Sequence, residues 1–224
     1  MYIKENLLRI RESLPSHVNL VAVSKTKSND QIMEAYHAGQ RVFGENKVQE
    51  MVEKWEQLPK DIEWHMIGHL QRNKVKHMAS FVSLIHGVDS LKLLKEINKQ
   101  ALKVNRVIPC LLQVHIAEED TKFGMNESEL EELLKSDTFK KLGAIKVVGL
   151  MGMATFSEDT KLVAHEFTHL NSIFESLKST YPKTDNLELS IRSMGMSGDY
   201  NIAIQCGSTM VRIGSHIFGS RNYN

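Results

Sequence analysis

Hydrophobic positions along the chain fall into two alternating rhythms. Short β-prone runs occur at 18–24 (VNLVAVS), 41–45 (RVFGE), 62–68 (IEWHMIG) and 81–88 (FVSLIHGV), and again at 107–116 (VIPCLLQVHI), 145–153 (IKVVGLMGM), 187–194 (LELSIRSM) and 209–215 (TMVRIGS). Longer segments with helical spacing lie between them, such as NDQIMEAYHAG, SLKLLKEINKQALKV and EDTKLVAHEFTHLNSIFESLKST. Caps mark several starts: Ser28 or Asn29 before QIMEAY, Ser90 before LKLLKEI and Ser157 before EDTKLV. Gly39 stands where the first crossover helix needs a left-handed residue to end. Near-continuous apolar strands alternating with helices predict a parallel sheet covered by helices. Eight such units, preceded by a helix over 1–14, predict an α/β fold: a single (β/α)8 TIM barrel with an extra N-terminal helix. The alternative, a doubly wound open sheet, ordinarily carries a glycine fingerprint after its first strand, which is missing here. No linker or compositional break interrupts the rhythm, so residues 1–224 are expected to form one domain.

Composition narrows the partners. The 224 residues are 42% hydrophobic and 25% charged, with a formal net charge of +1 and no block of like charges. Nucleic acid and charged membrane surfaces are therefore not expected as partners. The N-terminus mixes charged residues throughout, without a signal-peptide core, and no apolar run is long enough to cross a bilayer. Cys110 and Cys206 sit apart in apolar surroundings, which predicts buried, reduced thiols and a cytoplasmic protein.

A barrel of this kind builds its site from the loops after the C-terminal ends of the strands. Chemistry-bearing residues gather at those positions. Lys25 follows the first strand, Asn46 the second, and His65 lies near the end of the third. Met151 and Met153 close the sixth. Ser197-Gly198 follows the seventh, and Gly214-Ser215 the eighth. Either glycine-serine pair alone is an ordinary turn; two at adjacent strand ends, one before a short helix, point to a bound phosphate. Arg212 lies between Val211 and Ile213, so alternation turns it to the face opposite both. A guanidinium inside a barrel needs a partner, either a carboxylate such as Glu45 or an acceptor atom on a ligand. Because it stays protonated, it would leave a heteroaromatic nitrogen facing it unprotonated.

An amine at a strand end, a phosphate cradle and an arginine suited to a ring nitrogen fit pyridoxal 5′-phosphate held as an imine. The segments LVAVSKTK, AGQRVFGENKVQE, WHMIGHLQRNK, VHIAEEDTKFGM, VVGLMGMATFSED, LSIRSMGMSGDY and GSTMVRIGSHIFGSRNY resemble, in order, those of the pyridoxal phosphate homeostasis family, whose barrel is like that of alanine racemase. The resemblance runs from about residue 20 to the C-terminus. It implies that Lys25 is the Schiff-base lysine and that Asn46 and His65 line the ring. It further implies that Ser197, Gly214 and Ser215 hold the phosphate and that Arg212 meets the pyridine nitrogen. Met151 is counted with the cofactor-binding residues, with barrel-wall packing as its other reading. Two positions depart from the family pattern: Met66, where phenylalanine is common, and RNY at 221–223, where RDY is common. The implied role is cofactor homeostasis without turnover, with pyridoxal-phosphate-dependent apoenzymes as candidate recipients. Only nine residues follow Ser215, so the second domain of a racemase is not expected, and a monomer with an open site is.

Three other readings compete. A Schiff-base aldolase acting on a phosphorylated substrate would also use a barrel lysine, and an amino-acid racemase would use the same cofactor. HEFTH at 165–169 fits the H-E-x-x-H pattern of zinc proteases. Yet Val163, Phe167, Leu170, Phe174 and Leu177 form one apolar stripe, which leaves His165 and His169 on the solvent side with Ser172 and Ser176. Other residues are expected to be bland. Lys27 and Lys122 read as solvated loop lysines, Lys122 with a secondary role in passing on the cofactor as the alternative. His86 shows no partner pattern.

Overall fold

The computed structural model describes residues 2–118 and 123–219. Lys122 and the RNY segment lie outside the described residues. The chain begins with α1 (Tyr2–Ser13), followed by β1 (Asn19–Val23), α2 (Asn29–His37), β2 (Val42–Glu45), α3 (Val48–Gln57) and β3 (Glu63–Met66). A 3-10 helix (Arg72–His77) leads to β4 (Leu84–Val88), α4 (Leu91–Lys103), β5 (Ile108–Gln113), α5 (Glu127–Lys135), α6 (Asp137–Lys140) and β6 (Ile145–Met151). The last third comprises α7 (Thr160–Thr180), β7 (Leu187–Met196), α8 (Tyr200–Gln205), β8 (Met210–Ile213) and α9 (Ser215–Phe218). All eight strands pair in parallel with their sequence neighbours. β8 closes onto β1 through Asn19 with Met210 and Val21 with Arg212, giving the expected closed barrel.

Strand alternation sorts side chains into two compartments. Outward residues such as Ala22, Phe43, Trp64, Ile85, Cys110, Leu112 and Leu150 pack beneath the helices in one large cluster. Inward residues Val21, Leu84, Leu111, Met151 and Met210 form a separate, smaller cluster in the lumen. The helices supply matching stripes: α4 buries Leu93, Leu94, Ile97 and Ala101, and α7 buries Val163, Phe167, Leu170, Phe174 and Leu177. Among the described residues no helix is long and apolar enough to cross a membrane.

Local chemistry fits the elements. Ser28 closes a capping box with Gln31, and the Ser90 side chain accepts from Leu93 N. At α7 the expectation shifts by two residues. Asp159 is the cap, accepting from Lys161 N and Leu162 N, while the Ser157 hydroxyl accepts from Asp159 N. Gly39 ends α2 at φ +91°, a left-handed conformation free of strain for glycine. Gly195 interrupts β7 at φ +96°, where an added Cβ would lie 2.6 Å from Ala203 Cβ. This kink accompanies a register shift between Ser193 and Met196 that turns the end of β7 toward β8.

The cysteines differ from expectation. Cys110 is buried, and desolvation pushes its thiol well above the usual range. Cys206 is only half-buried, because α8 is short and leaves it at the surface end beside Ala164 and Thr168.

The HEFTH segment is structural. His165 and His169 are exposed, and His169 lies 3.3 Å from Glu127. Glu166 is buried between them and accepts from Glu118 N at 3.0 Å, Thr155 N at 2.6 Å and Thr155 Oγ1 at 2.7 Å. It therefore staples the segments following β5 and β6. Phe167→Ala should destabilise the protein by about 3–5 kcal/mol through the cavity it leaves. His165→Ala should stay within about 0.5 kcal/mol of the parent. Urea denaturation of both variants measures the contrast.

Candidate functional site

At the C-terminal end of the barrel the strand ends open into a cavity of about 770 Å³. Lys25, Asn46, Ser197, Arg212, Gly214 and Ser215 all stand on its wall. Val23, Ile67, Met153, Phe156 and Val163 supply the apolar part of the lining. His65 and Met151 are not on this wall. Both are turned into the lumen one layer down, His65 against His86 and Met151 in the inner apolar cluster. His65 and Met151 thus belong to the inward layer beneath the cavity, whereas Arg212, also inward, reaches its wall.

Lys25 is held from below by a charged cluster on the outer side of the barrel wall. The Ser24 hydroxyl donates to Glu45 Oε1 at 2.6 Å. Lys54 Nζ, reaching in from α3, donates to Ser24 O at 2.8 Å, Glu45 Oε1 at 2.8 Å and Glu50 Oε1 at 2.6 Å. Glu50 Oε1 also accepts from Thr26 N, and Thr26 sits at φ 64°, an unusual conformation for a β-branched residue that the surrounding bonds must enforce. Lys25 is thus fixed between two clamped neighbours. Lys27, expected in solvent, is instead half-buried on the cavity wall, where its Nζ donates to Phe218 O at 3.3 Å and Gly219 O at 3.4 Å, the last carbonyls of α9.

Glu45 is therefore not the partner of Arg212: it faces outward to Lys54 while Arg212 faces inward. Arg212 Nη1 donates to Ser193 O at 2.7 Å and Ser193 Oγ at 2.6 Å, and Nη2 donates to Gly152 O at 3.1 Å. Burial lowers its pKa to about 10, with Asp199 working in the opposite direction, so it is a cation at neutral pH. Behind it lie His86, with Nδ1 2.9 Å from Ser193 Oγ, and His65, with Nδ1 3.0 Å from His86 Nε2. Desolvation depresses both histidines, His65 to about 3, so both are neutral. Just beyond Arg212, Ser197 Oγ accepts from Gly214 N at 3.2 Å, joining the loops after β7 and β8.

Comparison with known proteins places the chain. The family profile described as "Alanine racemase, N-terminal domain" matches residues 2–222. The pyridoxal phosphate homeostasis protein of Pasteurella multocida is 38% identical, with all of both chains covered. That of Aquifex aeolicus is 41% identical over 91% of this chain and 87% of its own length. PipY of Synechococcus elongatus, whose structure was solved with pyridoxal phosphate bound, superposes with a TM-score of 0.88 at 34% identity, covering 97% of this chain and all of its own. An alanine racemase of Clostridium difficile matches in fold alone, at TM-score 0.78 and 14% identity, with 58% of its length covered. The fold and site define a protein of the alanine racemase N-terminal barrel class. Within that class, the chain belongs to the pyridoxal phosphate homeostasis protein family.

Burial outweighs the attraction of Lys54 and raises Glu45 to about 7. Lys54 and Ser24 both donate to Oε1, while Glu45 Oε2 has no hydrogen-bond partner among the described residues, so desolvation prevails. The folded-state pKa lies above the unfolded value of 4.5. The folded state therefore keeps a proton that the unfolded chain releases, and this contribution to stability is full at low pH and lost as pH rises toward 7. Relative to Glu45→Gln, the parent protein should be more stable at pH 4 than at pH 7.5 by about 1–3 kcal/mol. Denaturation of both proteins at the two pH values gives the difference.

Proposed function

We propose that this protein binds pyridoxal 5′-phosphate covalently on Lys25 and serves intracellular cofactor homeostasis as a carrier, without turnover. The observation that carries this reading is that one cavity brings together an amine, a guanidinium edge and two hydroxyl-bearing loops. When bound, the cofactor supplies an aldehyde with which a primary amine condenses, losing water. Lys25 would provide that amine. Ser197, Ser215 and the Gly214 backbone would hold the phosphate, the Ser197–Gly214 hydrogen bond already joining the two loops. Arg212 spends three N–H groups on Ser193 and Gly152, which leaves Nε–H and one Nη2 hydrogen for a ring nitrogen on the cavity side. Asn46 would stand beside the ring.

Two features favour carriage over catalysis. An arginine donates a hydrogen bond to a ring nitrogen without protonating it, so carbanion charge is poorly absorbed. The cavity is also accessible: Lys25 and Asn46 are half-buried and Phe156 is exposed, which suits a ligand that must leave again. We place the protein in the cytoplasm as a monomer formed by one barrel domain, with pyridoxal-phosphate-dependent apoenzymes as recipients.

Borohydride reduction followed by peptide mass spectrometry tests the reading. The expected result is one pyridoxyl group on Lys25, formed without added substrate and lost in Lys25→Ala. Adduct formation on another lysine, or trapping only in the presence of a carbonyl substrate as an aldolase would show, would overturn it. Conversion of L-alanine to the D-isomer at enzymatic rates would overturn the claim of carriage without turnover.

A further inference from the structure

The lumen holds a polar chain that the cavity itself does not explain. Four buried residues from four strands run in sequence across the barrel: His65 on β3, His86 on β4, Ser193 on β7 and Arg212 on β8. Their contacts are 3.0 Å between the imidazoles, 2.9 Å from His86 Nδ1 to Ser193 Oγ and 2.6 Å from Arg212 Nη1 to Ser193 Oγ. The surrounding lumen is apolar, lined by Val21, Leu84, Leu111, Met151 and Met210. Each member therefore depends on its neighbours for hydrogen bonding.

Arg212 sets the order of protons along the chain. A guanidinium only donates, so Ser193 Oγ accepts from it. The Ser193 hydroxyl hydrogen then has His86 Nδ1 as its acceptor, which makes Nδ1 a lone-pair nitrogen. His86 must carry its proton on Nε2, and it donates to His65 Nδ1. His65 in turn carries its proton on Nε2. The reverse order would have both imidazoles donate from Nδ1 and would leave the buried Ser193 hydroxyl hydrogen without an acceptor among the described residues. A doubly protonated ring would place a second cation beside Arg212 in an apolar lumen. Among the described residues, Arg212 is the cation acting on His86, and Asp199, on the cavity wall, acts on Arg212.

The geometry points to His65, His86 and Ser193 as positioning residues: one fixed proton order, started by Arg212, locks the guanidinium so that its free N–H edge faces the cavity before any ligand arrives. This rests on the reading that the cavity holds pyridoxal phosphate, because the locked edge is the one offered to the ring nitrogen. Such preorganisation strengthens binding by removing the cost of orienting Arg212. Lys25, after β1, is not one of its four members, so loss of the chain should weaken the ring contact and spare the covalent link.

The ligand-free protein, labelled with 15N-histidine, allows a direct test by long-range 1H–15N correlation, with signals assigned through His65→Gln and His86→Gln. The expected result is two neutral imidazoles, both protonated on Nε2 and both silent between about pH 5 and pH 8. Ser193→Ala should shift the His86 Nδ1 resonance and give a mixed tautomer. It should also weaken pyridoxal phosphate binding about fivefold, as loss of one hydrogen bond does, while the borohydride adduct stays on Lys25. An Nδ1–H tautomer at either ring, titration of either ring in that range, or unchanged His86 shifts in Ser193→Ala would overturn the proposal. Because the tautomers are read without ligand, failure of the parent protein to bind pyridoxal phosphate would refute the proposed function alone.

Discussion

A guanidinium enclosed in the lumen of a closed barrel has to be solvated by protein, and much of this site follows from that requirement. Arg212 is 3% exposed, and its hydrogen bonds among the described residues go to carbonyl and hydroxyl oxygens, with Asp199 acting on it at longer range. Its charge is met by carbonyl and hydroxyl dipoles of Ser193 on β7, the adjacent strand, and of Gly152 just after β6, one strand further on. An unpaired buried cation would be very costly, so these acceptors fix the ends of β6, β7 and β8 relative to one another. The Gly195 kink is part of the same arrangement, since it lets Ser193 face inward while the chain beyond it reaches the cavity at Met196 and Ser197.

A second buried charge cluster does the equivalent work at the ends of β1 and β2, on the outer side of the barrel wall. Lys54 crosses from α3 to meet Glu45, Glu50 and the Ser24 carbonyl, gripping the turn that presents Lys25. One amine and one guanidinium thus face a shared space, each positioned by its own set of hydrogen bonds. Keeping Glu45 outside the barrel and Arg212 inside stops them from pairing, an arrangement that would neutralise the arginine and turn its donor edge away from the cavity. Buried charge clusters of this kind add little net stability, but losing one partner strands the others, so each enforces a single geometry.

Most of the architecture was legible because the strand and helix periods differ so clearly. The eight apolar runs, the leading helix and the placement of Lys25, Asn46, Ser197, Arg212, Gly214 and Ser215 at one end all follow from that alternation. The interior polar chain did not. FVSLIHGV reads as a uniformly buried strand, so nothing marks Leu84 and His86 as inward and Ile85 as outward until the barrel closes. His65 looked like a cavity residue for the same reason: position along a strand says which end it is near, not how many layers cover it. Lys54 carried a usable signal, since Val48, Met51 and Lys54 recur at a spacing of three on the buried face of α3, but a lysine there reads as solvated. Lys27 was misjudged because its partners, the last carbonyls of α9, lie some 190 positions away along the chain.

A crystal structure grown with pyridoxal 5′-phosphate tests most directly whether this cavity is a cofactor site built between a held amine and a held guanidinium. The account predicts continuous density from Lys25 Nζ to the cofactor, the ring nitrogen within hydrogen-bond distance of Arg212, and the phosphate between Ser197 and the Gly214-Ser215 turn. A ring that turns its nitrogen away from Arg212, or a phosphate lodged elsewhere on the rim, would contradict it.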